Sequence, residues 1–242
     1  MIPVTGQTCV DAWREGVKEL VKENKRTSNL IIEIKEPTIF NSRWFDTYNP
    51  KNIKNKAENI SDVSNTIFPQ KTWDAIVRKN GSRQDLYHRY TEVYNRGKRI
   101  GINSARNKTA WGSYFLRLID LGAEHSNQLE KAIECVSTWG KNHAGAITFH
   151  ITTPGIDAYR PAGGPCWHFG ELSVRKPNIL DMTVVYRSHD YFNRTLGNFI
   201  GLARLLNFIC MQTGLEAGTI TCQSVYAWYT VSNKNMKELA QI

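Results

Sequence analysis

The segment that most constrains the fold is the apolar run over residues 198–213. Its bulky aliphatic residues recur at intervals of three and four, which places them on one face of a helix. That face contains Leu202, Leu205, Leu206 and Ile209. Gly214 follows where glycine commonly ends a helix, because glycine adopts a positive φ without a steric penalty. The pattern therefore predicts one long helix that packs on a core.

The segments around this helix have mixed strand and helix character. Runs rich in β-branched residues predict strands over 29–34, 145–154, 171–174, 181–188 and 219–231. Amphipathic spacing predicts further helices over 8–23 and 126–138. Because strands and helices do not strictly alternate, we expect an α+β fold that forms a single domain over residues 1–242. Polar residues with Pro50 and Pro69 predict an irregular insertion over 41–70.

The composition is that of a globular protein with one sizeable core. The chain has 242 residues, of which 41% are hydrophobic and 22% are charged. It contains no uncharged apolar stretch of the roughly 18 residues that a membrane span needs. The N-terminal segment lacks the basic and apolar regions of a secretory signal. We therefore expect a cytoplasmic protein without membrane contact.

The net charge favours anionic partners. Lys and Arg number 31 against 22 Asp and Glu, which leaves a formal charge of +9. Such an excess suits either nucleic acid or small phosphorylated molecules. The densest basic cluster covers residues 95–108, and it fits a solvated loop or a loop that faces nucleic acid.

The number and spacing of the cysteines do not indicate a disulfide or metal-binding framework. They number five, they are widely spaced, and no Cys-x-x-Cys pair occurs. This pattern disfavours both a disulfide scaffold and a zinc ribbon, so we expect no metal site. Most of the thiols are expected to be small buried hydrophobic groups.

Cys166 is the first candidate for chemistry, and it lies in the stretch GGPCWHFGELSV. A cysteine attacks as its thiolate, so it needs a nearby cation or helix N-terminus to lower its pKa. His168, two residues later, and Arg187, on the following predicted strand, could supply that charge. The alternative is a buried structural thiol, which is the commoner role of an isolated cysteine.

The stretch YRSHD contains Arg187 and Ser188 at the end of a predicted strand. A guanidinium fork and a hydroxyl donor together suit an anion such as phosphate. The alternative is a surface salt bridge between Arg187 and Asp190, and the residues by themselves leave both open.

Residues further along the chain could contact a nucleoside. Asn198 opens the predicted long helix, where asparagine commonly caps the first turn, but its amide could also read a pyrimidine edge. The stretch SVYAWY contains Tyr226 and Tyr229. Their rings could belong to the core, or their hydroxyls could face a sugar.

The order and spacing of these features resemble those of the thymidylate synthase and pyrimidine hydroxymethylase family. Arg187 lies 21 residues after Cys166 and begins an Arg-Ser-x-Asp motif, and Asn198 follows 11 residues later. A Gly-Leu-Glu-x-Gly turn and a strand that ends in aromatic residues complete the order. The resemblance extends from Gly163 to Tyr229, under a third of the chain.

The resemblance implies a role for each candidate residue. These roles are the nucleophile for Cys166, phosphate binding for Arg26, Arg187 and Ser188, base recognition for Asn198, sugar binding for Tyr226 or Tyr229, and ordering of the site for Asp190 and His168. Arg26 enters through the stretch ENKRTSNLIIEI, which is similar to the family's phosphate loop before its first strand.

The resemblance also implies an activity, a cofactor and an assembly. In this family a cysteine thiolate adds to C6 of a pyrimidine nucleoside monophosphate. C5 then receives a methyl or hydroxymethyl group from methylenetetrahydrofolate. The implied structure is a three-layer fold on a mixed sheet, and the implied assembly is a homodimer packed sheet to sheet.

Several positions depart from the family pattern. Trp167 replaces the histidine that usually follows the cysteine, and Asp74 is a weak counterpart of the general-base glutamate. Residues 143–145 occupy the place of the arginines that cross the family's dimer. These departures leave two alternatives to an enzyme, namely a nucleotide- or nucleic-acid-binding protein and a structural subunit. Asn198 favours a uracil-type base, because relatives that act on cytosine often have aspartate there.

Overall fold

A computed structural model describes residues 2–40, 59–99, 111–122, 125–139, 145, 147–157, 163–175 and 177–242. The strands within these residues are β1 (Ile2–Gly6), β2 (Arg26–Ile34), β3 (Ile147–His150), β4 (Trp167–Arg175), β5 (Ile179–Tyr186), β6 (His189–Asp190) and β7 (Glu216–Trp228). The helices are α1 (Cys9–Lys22), α2 (Ile60–Asn65), α3 (Gln70–Val77), α4 (Arg83–Arg99), α5 (Tyr114–Ile119), α6 (Gln128–Trp139), α7 (Thr195–Thr213) and α8 (Asn233–Ala240).

The strands form one mixed sheet in the order β1-β2-β7-β5-β4-β3, and the short β6 pairs with β7. β7 runs antiparallel to β2 and parallel to both β5 and β6. Tyr186 at the end of β5 lies opposite Ser224, and His189 in β6 lies opposite Ala227. This register brings residues 186–190 alongside residues 224–228.

The long helix α7 is buried on most sides because it lies between the sheet and other helices. It contacts β5 and β7 on one side and α2 on another. Phe208 also packs against the rings of Phe68 and Trp73, with centroids 4.9 and 5.0 Å away. A Cβ added at Gly201 would lie 2.8 Å from the Ser64 carbonyl oxygen, so α2 can approach this closely only because residue 201 is glycine. Burial on several sides explains why α7 is apolar around most of its circumference.

The opposite face of the sheet is partly open to solvent. Successive side chains of a strand point to opposite faces, and the burial along the central strands follows that alternation. Val184 and Cys222 are fully buried on the face that carries the helices. Thr183 is exposed and Thr221 is half-buried on the other face.

The structure confirms the α+β class and a mixed sheet, and likeness to the thymidylate synthase fold stays a prediction. The predicted helices and strands are present, with shifted ends. α7 begins at Thr195 rather than at Asn198, so Asn198 lies inside the first turns and does not cap the helix. Residues 60–65 form α2 where irregular backbone was expected, because the Asn59 side chain accepts from the Ser61 N–H and caps the helix. The rest of that segment up to residue 58 lies outside the described residues.

None of the helices that the structure describes has the length and apolar character needed to cross a membrane.

Candidate active site

A cavity of about 230 Å³ lies beside the N-terminal turns of α7. Its walls come from α2, the segment before α5, the turn before β4, β6 and the end of β7. The lining consists of Val63, Thr66, residues 111–114, Gly164, Cys166, residues 188–190, Arg194, Asn198 and Trp228. The cavity therefore brings together four of the residues that the sequence predicts, namely Cys166, Ser188, Asp190 and Asn198.

Cys166 lies half-buried on this wall, in the turn before β4. Its backbone N–H donates to the Tyr114 hydroxyl at 3.3 Å, and its carbonyl accepts from the Arg187 backbone N–H at 2.8 Å. Burial raises the pKa of the Cys166 thiol, while the Arg187 guanidinium, which hydrogen-bonds the sulfur, and the charge of Arg194 oppose that rise. The thiolate thus has two cations near it in a site that otherwise disfavours charge.

Arg187 and Ser188 follow directly on β5. Ser188 lines the cavity, whereas Arg187 does not belong to the lining that the described residues form. The Trp228 indole Nε1 donates to the Ser188 Oγ at 2.9 Å, which leaves the hydroxyl hydrogen of Ser188 able to donate to another group. The Arg187 Nη2 lies 3.5 Å from the Gly164 carbonyl oxygen, in the glycine turn that precedes Cys166. Arg187 is thus held close to the thiol by the backbone on which Cys166 lies.

His189 and Asn198 form a buried hydrogen-bonded pair on the cavity wall. The Asn198 Nδ2 lies 3.1 Å from the His189 Nε2, and the His189 Nδ1 lies 2.9 Å from the Ser224 Oγ. The imidazole is stacked on the Tyr186 ring with centroids 4.2 Å apart and planes 5° from parallel. Burial lowers the pKa of His189 to about 3, so the ring is neutral at physiological pH.

Asp190 orders the turn between β6 and α7. Its Oδ1 accepts from the backbone N–H groups of Phe192 and Asn193, at 3.0 and 3.1 Å. Its Oδ2 accepts from the Asn193 Nδ2 at 2.6 Å. These bonds fix the turn that leads to Arg194 and Asn198, and the ordering role expected for Asp190 stays a prediction.

The other predicted site residues lie outside the lining that the described residues form. Arg26 lies on β2 opposite Trp228, and its side chain is exposed. Tyr226 is also exposed, whereas Tyr229 is buried and its hydroxyl donates to the Asn233 Oδ1 at 2.9 Å. His168 is half-buried in β4, where burial and the nearby Arg187 lower its pKa.

Several weaker candidates are placed elsewhere or not described. Asp74 lies on α3, where its carboxylate accepts from the Gln70 amide at 2.8 Å, and it does not belong to the lining above. The basic cluster 95–108 begins in the last turn of α4, and its residues from 100 onward lie outside the described residues. Residues 143 and 144 lie outside them as well.

Metal-ligating side chains do not gather in the described part of the chain. No three of its His, Cys, Asp and Glu residues come together as ligands of an ion would. The five cysteines are free thiols.

Arg194, His189 and Trp111 are among the lining residues that the sequence-based prediction did not include. Arg194 brings a further cation to the cavity, His189 holds the Asn198 amide, and Trp111 forms part of the wall. His189 lies inside the stretch YRSHD, which the sequence singled out, but no feature of that stretch indicated a contact with Asn198. Arg194 and Trp111 carry no local pattern that separates them from other surface arginines and core tryptophans.

Comparison with known proteins finds similarity over a short part of the chain. Several archaeal proteins share it, among them the following three, each described as a "Putative thymidylate synthase". The protein from Methanococcoides burtonii is 35% identical over 63 residues, which are 26% of this chain and 29% of that protein. The protein from Methanothermobacter marburgensis is 34% identical over 76 residues, 31% of this chain and 34% of that protein. The protein from Methanosarcina mazei is 32% identical over 63 residues, 26% of this chain and 29% of that protein.

The chain thus matches about a third or less of the length of these curated relatives. No protein-family model matches the sequence.

Proposed function

We propose that this protein transfers a one-carbon unit to C5 of a pyrimidine nucleoside monophosphate, in the manner of thymidylate synthases and pyrimidine hydroxymethylases. The observation that carries the proposal is the convergence of Cys166, Ser188, Asp190 and Asn198 on one cavity, although they are up to 32 residues apart, from 166 to 198. The short similarity to proteins named as thymidylate synthases supports the same reaction class.

Cys166 is the proposed nucleophile. Its thiolate forms a bond from Sγ to C6 of the pyrimidine, and the electron pair of the C5–C6 double bond moves toward C5 and the C4 carbonyl oxygen. C5 thereby becomes nucleophilic. Arg187 and Arg194 stabilise the thiolate, because their positive charges oppose the rise in its pKa that burial causes.

The phosphate is proposed to lie near Arg187 and Ser188, with Arg26 as a further contact from β2. Because Trp228 already donates to the Ser188 Oγ, the serine hydroxyl hydrogen is available for a phosphate oxygen. Arg194 adds a cation on the cavity wall that the sequence had not pointed to. An arginine fork suits phosphate because its N–H groups match two oxygens at once.

The nucleoside is proposed to lie deeper, against Asn198. Tyr226 and Tyr229 remain the proposed sugar contacts, and His168 remains a proposed ordering residue beside Arg187. The Tyr229 hydroxyl hydrogen is donated to Asn233, so this residue could only accept from a sugar hydroxyl.

Methylenetetrahydrofolate is the proposed one-carbon donor, and the cavity wall offers groups that fit it. The Trp111 ring lies tilted against Tyr114 with centroids 4.9 Å apart. The Trp111 Nε1 is buried and has no hydrogen-bond partner among the described residues, which suits a donor that meets a bound carbonyl. Trp111 and Val63 would hold the folate ring, which supplies the one-carbon unit when it is bound.

Release of tritium from C5 of labelled dUMP and dCMP tests the proposal. With methylenetetrahydrofolate present, we expect the wild type to release tritium and to form a product heavier by a methyl or a hydroxymethyl group. Cys166→Ala should lower release by a factor of about 10³ or more, because loss of a covalent nucleophile removes the whole addition step.

Cys135→Ala is the matched control, since Cys135 is also a half-buried free thiol but lies on α6 and not in the lining. Its release should equal that of the wild type. Full turnover by Cys166→Ala would rule out covalent catalysis. Nucleotide binding without any release by the wild type would favour the binding-protein alternative.

A further inference from the structure

His189 and Asn198 belong to a buried hydrogen-bond network that base recognition by Asn198 alone does not require. His189 is 1% exposed and Asn198 is 4% exposed, yet both border the cavity. The Ser224 Oγ, the imidazole and the Asn198 amide form a continuous chain with spacings of 2.9 and 3.1 Å. Buried polar groups in such a chain have few alternative partners, so they are held in one arrangement.

The chain of hydrogen bonds through Ser224, His189 and Asn198 indicates which nitrogen of His189 carries the hydrogen. An amide nitrogen only donates, so the Asn198 Nδ2 requires a bare Nε2 on His189 as its acceptor. The hydrogen of the neutral ring then lies on Nδ1 and is donated to the Ser224 Oγ. The ring itself is held by its stack on Tyr186 and by the edges of Tyr191 and Phe199, at 5.6 and 5.8 Å.

This arrangement also defines the orientation of the Asn198 amide. Its nitrogen end lies against His189, so its oxygen is at the other end. With the ring hydrogen held on Nδ1 by Ser224, turning the amide over would place Oδ1 against a bare Nε2, where two acceptors face each other without a hydrogen between them. A buried acceptor pair of that kind is unfavourable because neither group can find water.

We propose that His189, held by Ser224, is a positioning residue that orients the Asn198 amide and so makes the site prefer uracil over cytosine. The inference rests on the proposed pyrimidine nucleotide site. In uracil, N3–H donates to Oδ1 and O4 accepts the second hydrogen of Nδ2. Cytosine presents the reverse pattern, an acceptor at N3 and a donor at C4, which requires the amide turned over.

Dissociation constants of dUMP and dCMP, measured by calorimetry without any folate, test this inference. The wild type should bind dUMP at least about tenfold more tightly, because the wrong base leaves buried polar groups unpaired. His189→Phe keeps a flat ring on Tyr186 and removes both nitrogens. Since either amide orientation is then available, the ratio of the two constants should fall toward one.

Ser224→Ala is a second variant, and it leaves the His189 ring in place. A buried Nδ1–H without an acceptor is less favourable than a bare Nδ1, so the hydrogen should move to Nε2 and turn the amide over. The preference should therefore shift toward dCMP. Thr195→Val is the matched control, because the Thr195 hydroxyl is buried in the first turn of α7 and has no partner among the described residues. Its ratio should match that of the wild type.

A measurement on the unmodified protein adds a readout that a merely structural role does not change. The ring ¹⁵N shifts of His189 should show hydrogen on Nδ1 and a bare Nε2. The opposite tautomer would overturn the inference, as would an unchanged ratio in a folded His189→Phe or a wild-type preference for dCMP. Those results would not contradict the proposed binding of a pyrimidine nucleotide. If the wild type bound neither nucleotide, the proposed function would fail together with the inference.

Discussion

Single residues decide the electrostatics of the cavity. Arg187 lies against the Cys166 thiol, and the two are joined again by the backbone bond from the Arg187 N–H to the Cys166 carbonyl. Burial of the thiol acts in the opposite direction, because removal from water disfavours the thiolate. The reactivity of Cys166 therefore depends on neighbours that lie far from it in sequence.

Loss of Arg187 should make Cys166 less reactive. In Arg187→Gln the pKa of the thiol should rise further, because burial would be opposed by Arg194 alone. Alkylation of the Cys166 peptide by iodoacetamide at pH 8, followed by mass spectrometry, should slow by about three- to tenfold, as expected for a pKa change of up to one unit. Arg175→Gln removes a surface arginine that pairs with Asp181, and it should leave the rate unchanged. An equal or faster rate in Arg187→Gln would contradict this account.

His189 should make the protein less stable in mild acid. Its pKa is about 3 in the folded protein and 6.5 in the unfolded chain, so only the unfolded chain binds a proton between these values. As the pH falls through that window, the free energy of unfolding should fall by about 1.4 kcal/mol per pH unit from this group. Above pH 6.5 the group contributes no slope.

Urea unfolding of the wild type and of His189→Phe between pH 7.5 and pH 5 measures that slope. The unfolding free energy of the wild type minus that of His189→Phe should decrease as the pH falls, whatever the sign of this difference at pH 7.5. His168, whose pKa is also lowered, is present in both proteins and cancels. Parallel pH dependences would show that His189 is not held neutral by burial.

At the scale of elements, the contact between α2 and α7 shapes the cavity. Gly197 and Gly201 face α2, and a Cβ at Gly197 would lie 2.6 Å from the Val63 Cβ. This close approach places Val63 and Thr66 on the cavity wall. The same helix α7 carries Asn198 on its first turns, so one packing contact positions two sides of the site.

Gly201→Ala should therefore weaken both the fold and the site. The new Cβ would lie 2.8 Å from a backbone oxygen of α2, which cannot move without shifting the helix. We expect a loss of about 1–3 kcal/mol in unfolding free energy, typical of overpacking, together with weaker dUMP binding. Chemical unfolding and calorimetry measure the two effects. Gly145→Ala, whose Cβ would meet nothing within 4 Å among the described residues, should change neither, and equal behaviour of the two variants would contradict the packing argument.

At the scale of the whole molecule, the sheet leaves one face available for a partner. Its centre consists of β5 and β7, where Thr183 is exposed and Thr221 is half-buried. The two residues lie directly opposite each other in the register of these strands. The homodimer that the family resemblance implies remains a prediction, and this face is where its sheet-to-sheet contact would form.

Sedimentation velocity tests that assembly. We expect a dimer for the wild type at micromolar concentration and a monomer for the double variant Thr183→Arg and Thr221→Arg, because like charges would meet across the two-fold axis. His88→Arg on the exposed side of α4 adds positive charge elsewhere and should leave the dimer intact. A monomeric wild type would contradict the predicted homodimer. A double variant that remains dimeric would show that the dimer forms through another surface.

The sequence by itself determined the features that neighbouring residues carry. Helical spacing predicted α1, α6 and α7, and Gly214 ends α7 with a φ of 69° as its position indicated. The order of Cys166, Ser188, Asp190 and Asn198 pointed to one site, because a motif reports residues that a fold brings together in a regular way. Where a structural feature depends on residues that are close in sequence, the sequence is enough to predict it.

Only the tertiary structure decided what depends on contacts between distant segments. The start of α7 moved to Thr195 because Asp190 organises the turn before it. His189 acquired its role from Ser224, 35 residues away, and Arg194 and Trp111 reached the cavity through packing that no local pattern encodes. The physical reason is that hydrogen bonds and burial shift pKa values and orient amides only once the chain has closed around them.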